Sequence, residues 1–288
     1  MDQKVNTLTL EDPDYPEILR NISSPPGRFF YRGAAPTAWL DKPKVAVVGS
    51  RKMTPYGKTV TEKIVTELAH AGVVIISGLA YGIDATAQRA ALTAGGLAAA
   101  VLGTRINQIA PAGNVQLGHS ILQNGGTIIS EYGPYDDVYA SNFVIRNRIV
   151  SGLCDVLLVA EATLKSGSLH TARFALEQGK TVMAIPGNIT SPSSEGCNNL
   201  IKTGALPVTE AGDIFFALKL DIKKLQKVTF KGTPEEEKLL KLIGEGVSDQ
   251  EELAAIAELD GDVTGSALTM LEITGHIKPL GGGRWVSS

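Results

Sequence analysis

The 288-residue sequence is short of several things, and each shortage removes a class of function. It has two cysteines, Cys154 and Cys197, too few and too far apart for a disulfide framework, and no CxxC or HExxH spacing of the kind that holds a metal. A reducing compartment, the cytoplasm, suits such a chain. Its four histidines, His70, His119, His170 and His276, are scattered singly, so each reads as a surface or satisfied residue before it reads as a catalyst. No apolar run reaches membrane-spanning length, and "MDQKVNTLTLEDPDYPE" has neither the basic start nor the apolar core of a signal peptide, so secretion and membrane insertion are not expected. Neither "YGKT" nor "QGKT" carries the glycine that a Walker A loop needs five residues earlier. Lys52 and Phe174 stand there instead, which argues against a P-loop NTPase. GxGxxG after the first strand and GxSxG are also missing, which weakens the dinucleotide and hydrolase readings.

What is present is a globular composition: 43% hydrophobic, 20% charged and a net charge of -3, enough for one large or two ordinary domains. The charge is unevenly spread. Of 27 Lys/Arg and 30 Asp/Glu, only four basic but eleven acidic residues fall in 234–288, so the body is mildly basic and the tail strongly acidic.

Residues 1–42 are irregular and proline-bearing, with a short helix expected in "DPDYPEILRNI" and a loop leading to an edge strand in "SPPGRFFYRG"; together they read as a wrap over the next unit. From Lys44 the chain alternates β-branched runs with amphipathic stretches. "KVAVVGS", "VVIISG", "LAAAVLG", "GTIISE", "CDVLLVAEA" and "KTVMAIPG" are the expected strands. Continuous apolar strands separated by helices predict a parallel sheet buried on both faces, a doubly wound α/β domain over 43–220. Residues 221–233 read as a basic linker, with Lys223, Lys224, Lys227 and Lys231. At its end Thr233, with Pro234 and Glu235, gives helix-start chemistry for 234–288, and Ser248, Glu251 and Glu252 signal the next cap. Three helices and a glycine-turned hairpin outline a winged-helix module.

In an open α/β sheet, ligands bind beyond the carboxyl ends of the strands. Three of those ends carry glycine-bearing turns: Gly49-Ser50-Arg51, followed by Thr54 as N-cap; Gly78 with Gly82; and Lys165-Ser166-Gly167-Ser168. Free backbone N–H groups at such turns, with a cation beside two of them, suit an anion such as phosphate. Glycines there also serve close helix packing, and any one of these turns alone is compatible with that role. Asp84, Glu131 and Glu161 are available as acids or bases, but caps and structural ion pairs are the commoner employment of such residues.

The stretch "NFVIRNRIVSGL" places two arginines in an apolar run. With Asn142 as N-cap and a helical winding of about 100° per residue, Phe143, Ile149, Val150 and Leu153 share an arc that also contains Arg146, while Arg148 lies nearly opposite. A guanidinium in a core needs a partner. Arg146 therefore either meets a buried acid such as Glu131 or Glu161, or lies where the core opens to an anionic ligand.

Six segments, "VAVVGSRKMTPYG", "ISGLAYGIDATAQRAAL", "GTIISEYGP", "NFVIRNRIVSGL", "LLVAEATLKSGSLHTARFALEQGKTVMAIPGN" and "GCNNLIKTGA", in this order resemble the DNA-processing protein A family, DprA, also called Smf. The resemblance runs from Leu8 to about Asp213, and the acidic tail is similar to the winged-helix domain of many members. It implies a cytoplasmic, extended Rossmann-like protein that binds and protects incoming single-stranded DNA, forms a homodimer, and loads the RecA recombinase during natural transformation and homologous recombination. Such a protein is a binder and loader, with no cofactor and no metal, rather than an enzyme. The family's DNA contacts carry over to Gly49, Ser50, Arg51, Gly78, Phe143, Arg146, Asn147 and Arg148, with Lys165, Ser166, Gly167 and Ser168 in the same pocket; Phe143, and with it Tyr132, is placed to stack a base.

The sequence departs from the family at Tyr81, where many relatives are basic, at Gln88, at Ala110 and at Cys154. No helical extension is seen ahead of the wrap, so partner contacts carried there in some members are not expected. Two rival readings remain at this point: a nucleotide enzyme of the Lonely Guy phosphoribohydrolase type and a nucleotide-sensing regulator. The "PGGxGTxxE" motif of the former is absent, "LKSGSLHTARFALE" being the nearest stretch. In the tail, "GDVTGSALTMLEITGHIK" offers one lysine against Asp262 and Glu272, a poor recognition helix for duplex DNA and a better one for protein contact or autoregulation.

Overall fold

The computed structural model describes residues 4–220 and 232–287 and divides the chain into two compact units at Ile222/Lys223. The expected linker, but for residues 232 and 233, lies outside the described residues.

The first unit is built on a nine-stranded sheet. Its strands are β1 (Asn6–Thr9), β2 (Arg28–Gly33), β3 (Lys44–Gly49), β4 (Val74–Ser77), β5 (Ala98–Arg105), β6 (Thr127–Tyr132), β7 (Val156–Glu161), β8 (Thr181–Ala184) and β9 (Leu206–Pro207). Their spatial order is β1-β2-β6-β5-β4-β3-β7-β8-β9. All pairs from β6 to β9 are parallel, while β2 joins β6 and β1 joins β2 antiparallel. The six strands expected from apolar runs are all present. The N-terminal segment differs from expectation: it does not merely cover the unit but adds two strands to it, and β2 is interior while β1 forms the edge.

Helices α1 (Glu17–Arg20), α2 (Pro55–His70), α3 (Ile83–Thr93), α4 (Val115–Gln123), α5 (Asn142–Ile145), α6 (Asn147–Gly152), α7 (Ser168–Glu177), α8 (Glu195–Lys202) and α9 (Ala211–Ala217) cover both faces. Successive side chains on a strand point to opposite faces. Val45 and Val47 of β3 accordingly join Ile64, Leu68, Ile83, Ile121 and Ile214, from α2, α3, α4 and α9, in one core. Ala46 and Val48 join Leu19, Ile149, Val150, Ala172 and Cys197, from α1, α6, α7 and α8, in the other. Cys154 and Cys197 are buried and free, and burial pushes both thiols up to about 12, which keeps them protonated and unreactive.

The second unit has helices Pro234–Gly244, Gln250–Ala257 and Gly261–Ile273 and an antiparallel hairpin, Ile277–Gly281 with Arg284–Ser287. It packs around Leu239, Leu253, Leu268, Leu271 and Ile277. Thr233 caps the first of these helices, as its Thr-Pro-Glu start predicts, and forms a reciprocal capping box with Glu236. At the next helix the cap is Asp249 rather than Ser248: its Oδ1 accepts from the Glu251 and Glu252 N–H groups at 3.0 and 3.2 Å. A carboxylate is the stronger acceptor, and it complements the helix dipole.

Candidate nucleic-acid interface

From β3 the sheet grows through β4, β5 and β6 in one direction and through β7, β8 and β9 in the other. The loops leaving β3 and β7 diverge, so a crevice opens at their carboxyl ends. Gly49-Ser50-Arg51 is clamped there, with the Ser50 N–H donating to the Glu161 carbonyl at 2.7 Å. The Glu161 side chain, 3% exposed, accepts from the Thr54 N–H at 3.1 Å and from the Thr54 hydroxyl at 2.5 Å. Thr54 Oγ1 in turn accepts from Gly57 N–H and caps α2, as expected. Glu161 therefore positions the turn.

The turn after β4 is held from two sides. Gly82 has φ +76°, and its backbone packs so closely on the carbonyls of Ser50 and Arg51 that no Cβ fits. Leu79 is left-handed at φ +58°, a conformation costing roughly 1–2 kcal/mol for a non-glycine residue, yet its side chain is fully buried and its carbonyl accepts from Asn114 Nδ2 at 2.9 Å. The Asp84 carboxylate accepts from the Gly78 N–H at 3.1 Å. Burial pushes its carboxyl up, opposed by the nearby Arg146 guanidinium and by hydrogen bonds.

Arg146 is 4% exposed, with Nη1 donating to the carbonyls of Gly78, at 2.8 Å, and of Val101. Its Nε donates to Asn147 Oδ1 at 3.2 Å. Burial lowers it to about 10, with Asp84 opposing and Arg51 contributing, so it stays charged at neutral pH. The acid facing Arg146 is thus Asp84, not Glu131 or Glu161. Arg148 takes Glu131 instead, Nη2 to Oε1 at 2.6 Å, and is itself 8% exposed rather than turned to solvent. The single helix expected from Asn142 is in fact two short ones broken at Arg146, with Ser141 rather than Asn142 at the N-cap. The backbone stays right-handed helical through Arg146, and Arg148 is buried because every residue from 148 to 154 is covered. Phe143, half-buried, rests on Gly103 at the carboxyl half of β5.

After β7, Lys165 and Gly167 are exposed, and Ser166 and Ser168 share a hydroxyl contact of 2.7 Å at the start of α7. The expectation of free turn amides holds only in part. The N–H groups of Ser50, Lys52, Thr54, Gly78, Ser166 and Ser168 all have internal acceptors. What remains available at the crevice is mainly side-chain charge: Arg51, Lys52 and Lys165 are exposed, and none is in an ion pair among the described residues. The acids do structural work, Asp84 and Glu161 holding turns and Glu131 holding Arg148.

Around this edge Tyr81, noted in the sequence only as a lost charge, is exposed, and the exposed aromatic side chains of Tyr56, Tyr135 (94% exposed) and Tyr139 (65%) escaped sequence reasoning. So did a cavity of about 490 Å³ between the start of α2 and the loop after β8. The rule that pointed to the ends of β3, β4 and β7 applies equally to the "IPGN" turn after β8. Among the described residues no group of His, Cys, Asp and Glu is arranged to hold a metal ion, and no helix is long and apolar enough to cross a membrane.

Residues 6–219 match the family model for DNA recombination-mediator protein A, and residues 226–283 match that for the DprA winged helix domain. The DNA processing protein DprA of Streptococcus pneumoniae is 42% identical over 212 residues, 74% of each chain. Protein Smf of Escherichia coli is 39% identical over 278 residues, 93% of this chain and 74% of that one. Among solved structures, the X-ray structure of DprA from Streptococcus pneumoniae superposes with a TM-score of 0.69 at 41% identity, covering 74% of each chain. DprA from Helicobacter pylori, whose structure is described by its single-stranded DNA binding mode, gives 0.67 at 32% identity over 80% of this chain and 99% of that one.

Proposed function

Because the chain belongs to the DNA recombination-mediator protein A family, DprA/Smf, we propose that it binds single-stranded DNA along the carboxyl edge of its sheet and hands that strand to the RecA recombinase. Its role lies in the cytoplasm, in natural transformation and homologous recombination, where it protects incoming DNA as a homodimer and performs no catalysis. In this reading 1–42 and 43–220 form one DNA-binding domain, 221–233 a basic linker and 234–288 the winged-helix domain.

The observation that carries the reading is the trio Arg51, Lys52 and Lys165 in the turns that follow β3 and β7, exposed and with no acid paired to them among the described residues. Unpaired cations beside a half-buried aromatic, Phe143, are what a phosphate backbone with unstacked bases requires. Gly49, Ser50, Lys165, Ser166, Gly167 and Ser168 form the walls. Gly78, Arg146, Asn147 and Arg148 form the floor, where Arg146 adds positive potential from below. A duplex does not present its bases to such a floor, so single strands are preferred.

Titrating the full chain with fluorescent single-stranded and duplex oligonucleotides over a range of salt, beside a mononucleotide hydrolysis assay, tests this. The expected result is preferential single-strand binding, with log affinity falling by about 0.7 per neutralised phosphate against log salt. Absence of binding, equal duplex affinity or mononucleotide turnover overturns it.

A further inference from the structure

On the side of the crevice away from Phe143, the start of α2 and the loop after β8 frame the cavity of about 490 Å³. Thr54, Tyr56, Pro186, Asn188, Ser191 and Ser194 line it, a wall without a single formal charge. We propose that this cavity is a subsite for a nucleobase of the bound strand, an inference that rests on the single-strand reading above.

The wall is held in shape before any ligand arrives. The Tyr56 hydroxyl donates to the Pro186 carbonyl at 2.7 Å, tying the first turn of α2 to the loop, while Tyr56 itself stays 48% exposed. The Asn198 side chain exchanges two hydrogen bonds with the Gly187 backbone, at 3.1 and 3.0 Å. Asn188 Oδ1 accepts from the N–H and the hydroxyl of Thr190 at 2.9 and 2.8 Å. The Asn188 amide nitrogen and the hydroxyls of Ser191 and Ser194 make no hydrogen bond among the described residues, so they are available to a ligand. A preformed concave site with an aromatic ring and a few converging neutral polar groups matches the chemistry of a base, which offers a flat face and hydrogen-bonding edges.

Phosphate is the wrong occupant, because no cation lines the cavity. Carboxylates are missing from the wall too, so a polyanion passing over it meets no repulsion. Arg51 stands three residues before Thr54, so the cation and the cavity wall belong to the same turn between β3 and α2. From β5, under Phe143, to β8 the edge crosses four inter-strand spacings of about 4.8 Å, roughly 19 Å in all. That span accommodates about five stacked nucleotides at about 3.4 Å each, fewer when extended.

Full-length protein is titrated with fluorescein-labelled thymidine oligomers of four and of twenty nucleotides (sizes of roughly one site and several sites), and with a long oligomer of wholly abasic residues. Tyr56→Ala is expected to weaken the long thymidine oligomer about tenfold while leaving the slope against salt unchanged, since stacking involves no phosphate. Tyr56→Phe, which removes only the bond to Pro186, stays within about threefold of wild type, and Asn188→Ala, an exposed change that spares the fold, loses about threefold. The abasic oligomer binds wild type and Tyr56→Ala alike. If Tyr56→Ala and Asn188→Ala both bind the long thymidine oligomer as wild type does, while Arg51→Ala weakens it, the subsite is overturned and the single-strand reading stands. If wild type binds no oligomer, the two fall together.

Discussion

At the carboxyl edge of the first unit, Arg51, Lys52 and Lys165 stand exposed without ion pairs among the described residues, whereas the third helix of the second unit exposes Asp262 and Glu272 beside Val263, Met270 and Ile273. A winged helix ordinarily meets duplex DNA with that helix, neutralising phosphates as it enters the groove. Here the architecture is retained with the opposite charge, so the second unit has the shape of a DNA reader without its electrostatics. The first unit shows the complement: a fold shared by many nucleotide enzymes, in which Asp84 and Glu161 hold turns, Glu131 holds Arg148, and Arg51, Lys52 and Lys165 have no ion pair among the described residues. Which partner a surface takes is set by the residues left unpaired on it, not by the fold beneath.

That contrast is most exposed to failure where a cation of the first unit serves the fold and not the ligand. Arg146→Ala leaves the buried Asp84 carboxylate without its counter-charge and the Gly78 and Val101 carbonyls without a donor. A loss of about 3–5 kcal/mol is expected in urea unfolding monitored by circular dichroism; a change under about 1 kcal/mol refutes the structural role. Next in size, a double-mutant cycle on Arg148→Met and Glu131→Gln is expected to give a coupling of about 2 kcal/mol for the 2.6 Å pair. Additive effects show that the pair does not hold α6. Arg51→Ala reverses the pattern: affinity for a thymidine oligomer drops about tenfold and the salt slope shrinks by about 0.7, while the unfolding midpoint stays put, because the side chain is exposed. The smallest effect belongs to the second unit. Removal of residues 232–288 is expected to leave single-strand affinity within about twofold of the full chain, or to raise it, since the lost segment carries eleven acids against four bases. A large loss, by fluorescence anisotropy, makes the acidic unit a DNA contact after all.

Much of this was legible in the sequence wherever one physical signal dominated. Runs such as "KVAVVGS" and "CDVLLVAEA" are apolar without alternation over 45–48 and 156–160 because both faces of β3 and β7 are buried, so strand type and parallel pairing follow. β1 was not legible: "NTLT" is four residues long with Leu8 as its one apolar residue, and it becomes a strand only because β2 offers it an edge. The Thr54 cap was visible from Thr-Pro, whereas Asp249 was misread as Ser248 because adjacent cap-forming residues compete and only backbone geometry chooses between them. In "NFVIRNRIVSGL" the apolar arc was right to put Arg146 in the core, but a helical arc of one segment does not show that the opposite side, with Arg148, is covered as well. The cavity beside Tyr56 is assembled from segments about 130 residues apart, as the Tyr56–Pro186 bond shows, and no local pattern announces it.

Gly78 and Arg146 occupy one volume. A methyl group added at 78 would lie 2.6 Å from the guanidinium, so the missing side chain is the slot in which the arginine rests. Positions 68 residues apart in sequence are therefore a single choice for evolution or for a library designer. Saturation at either site alone should return few folded variants, and viable alternatives should appear only when both change together, a larger residue at 78 with a shorter one at 146. In a set of diverging relatives the two columns should vary as a pair, a covariation that packing is sufficient to produce whatever ligand lies above.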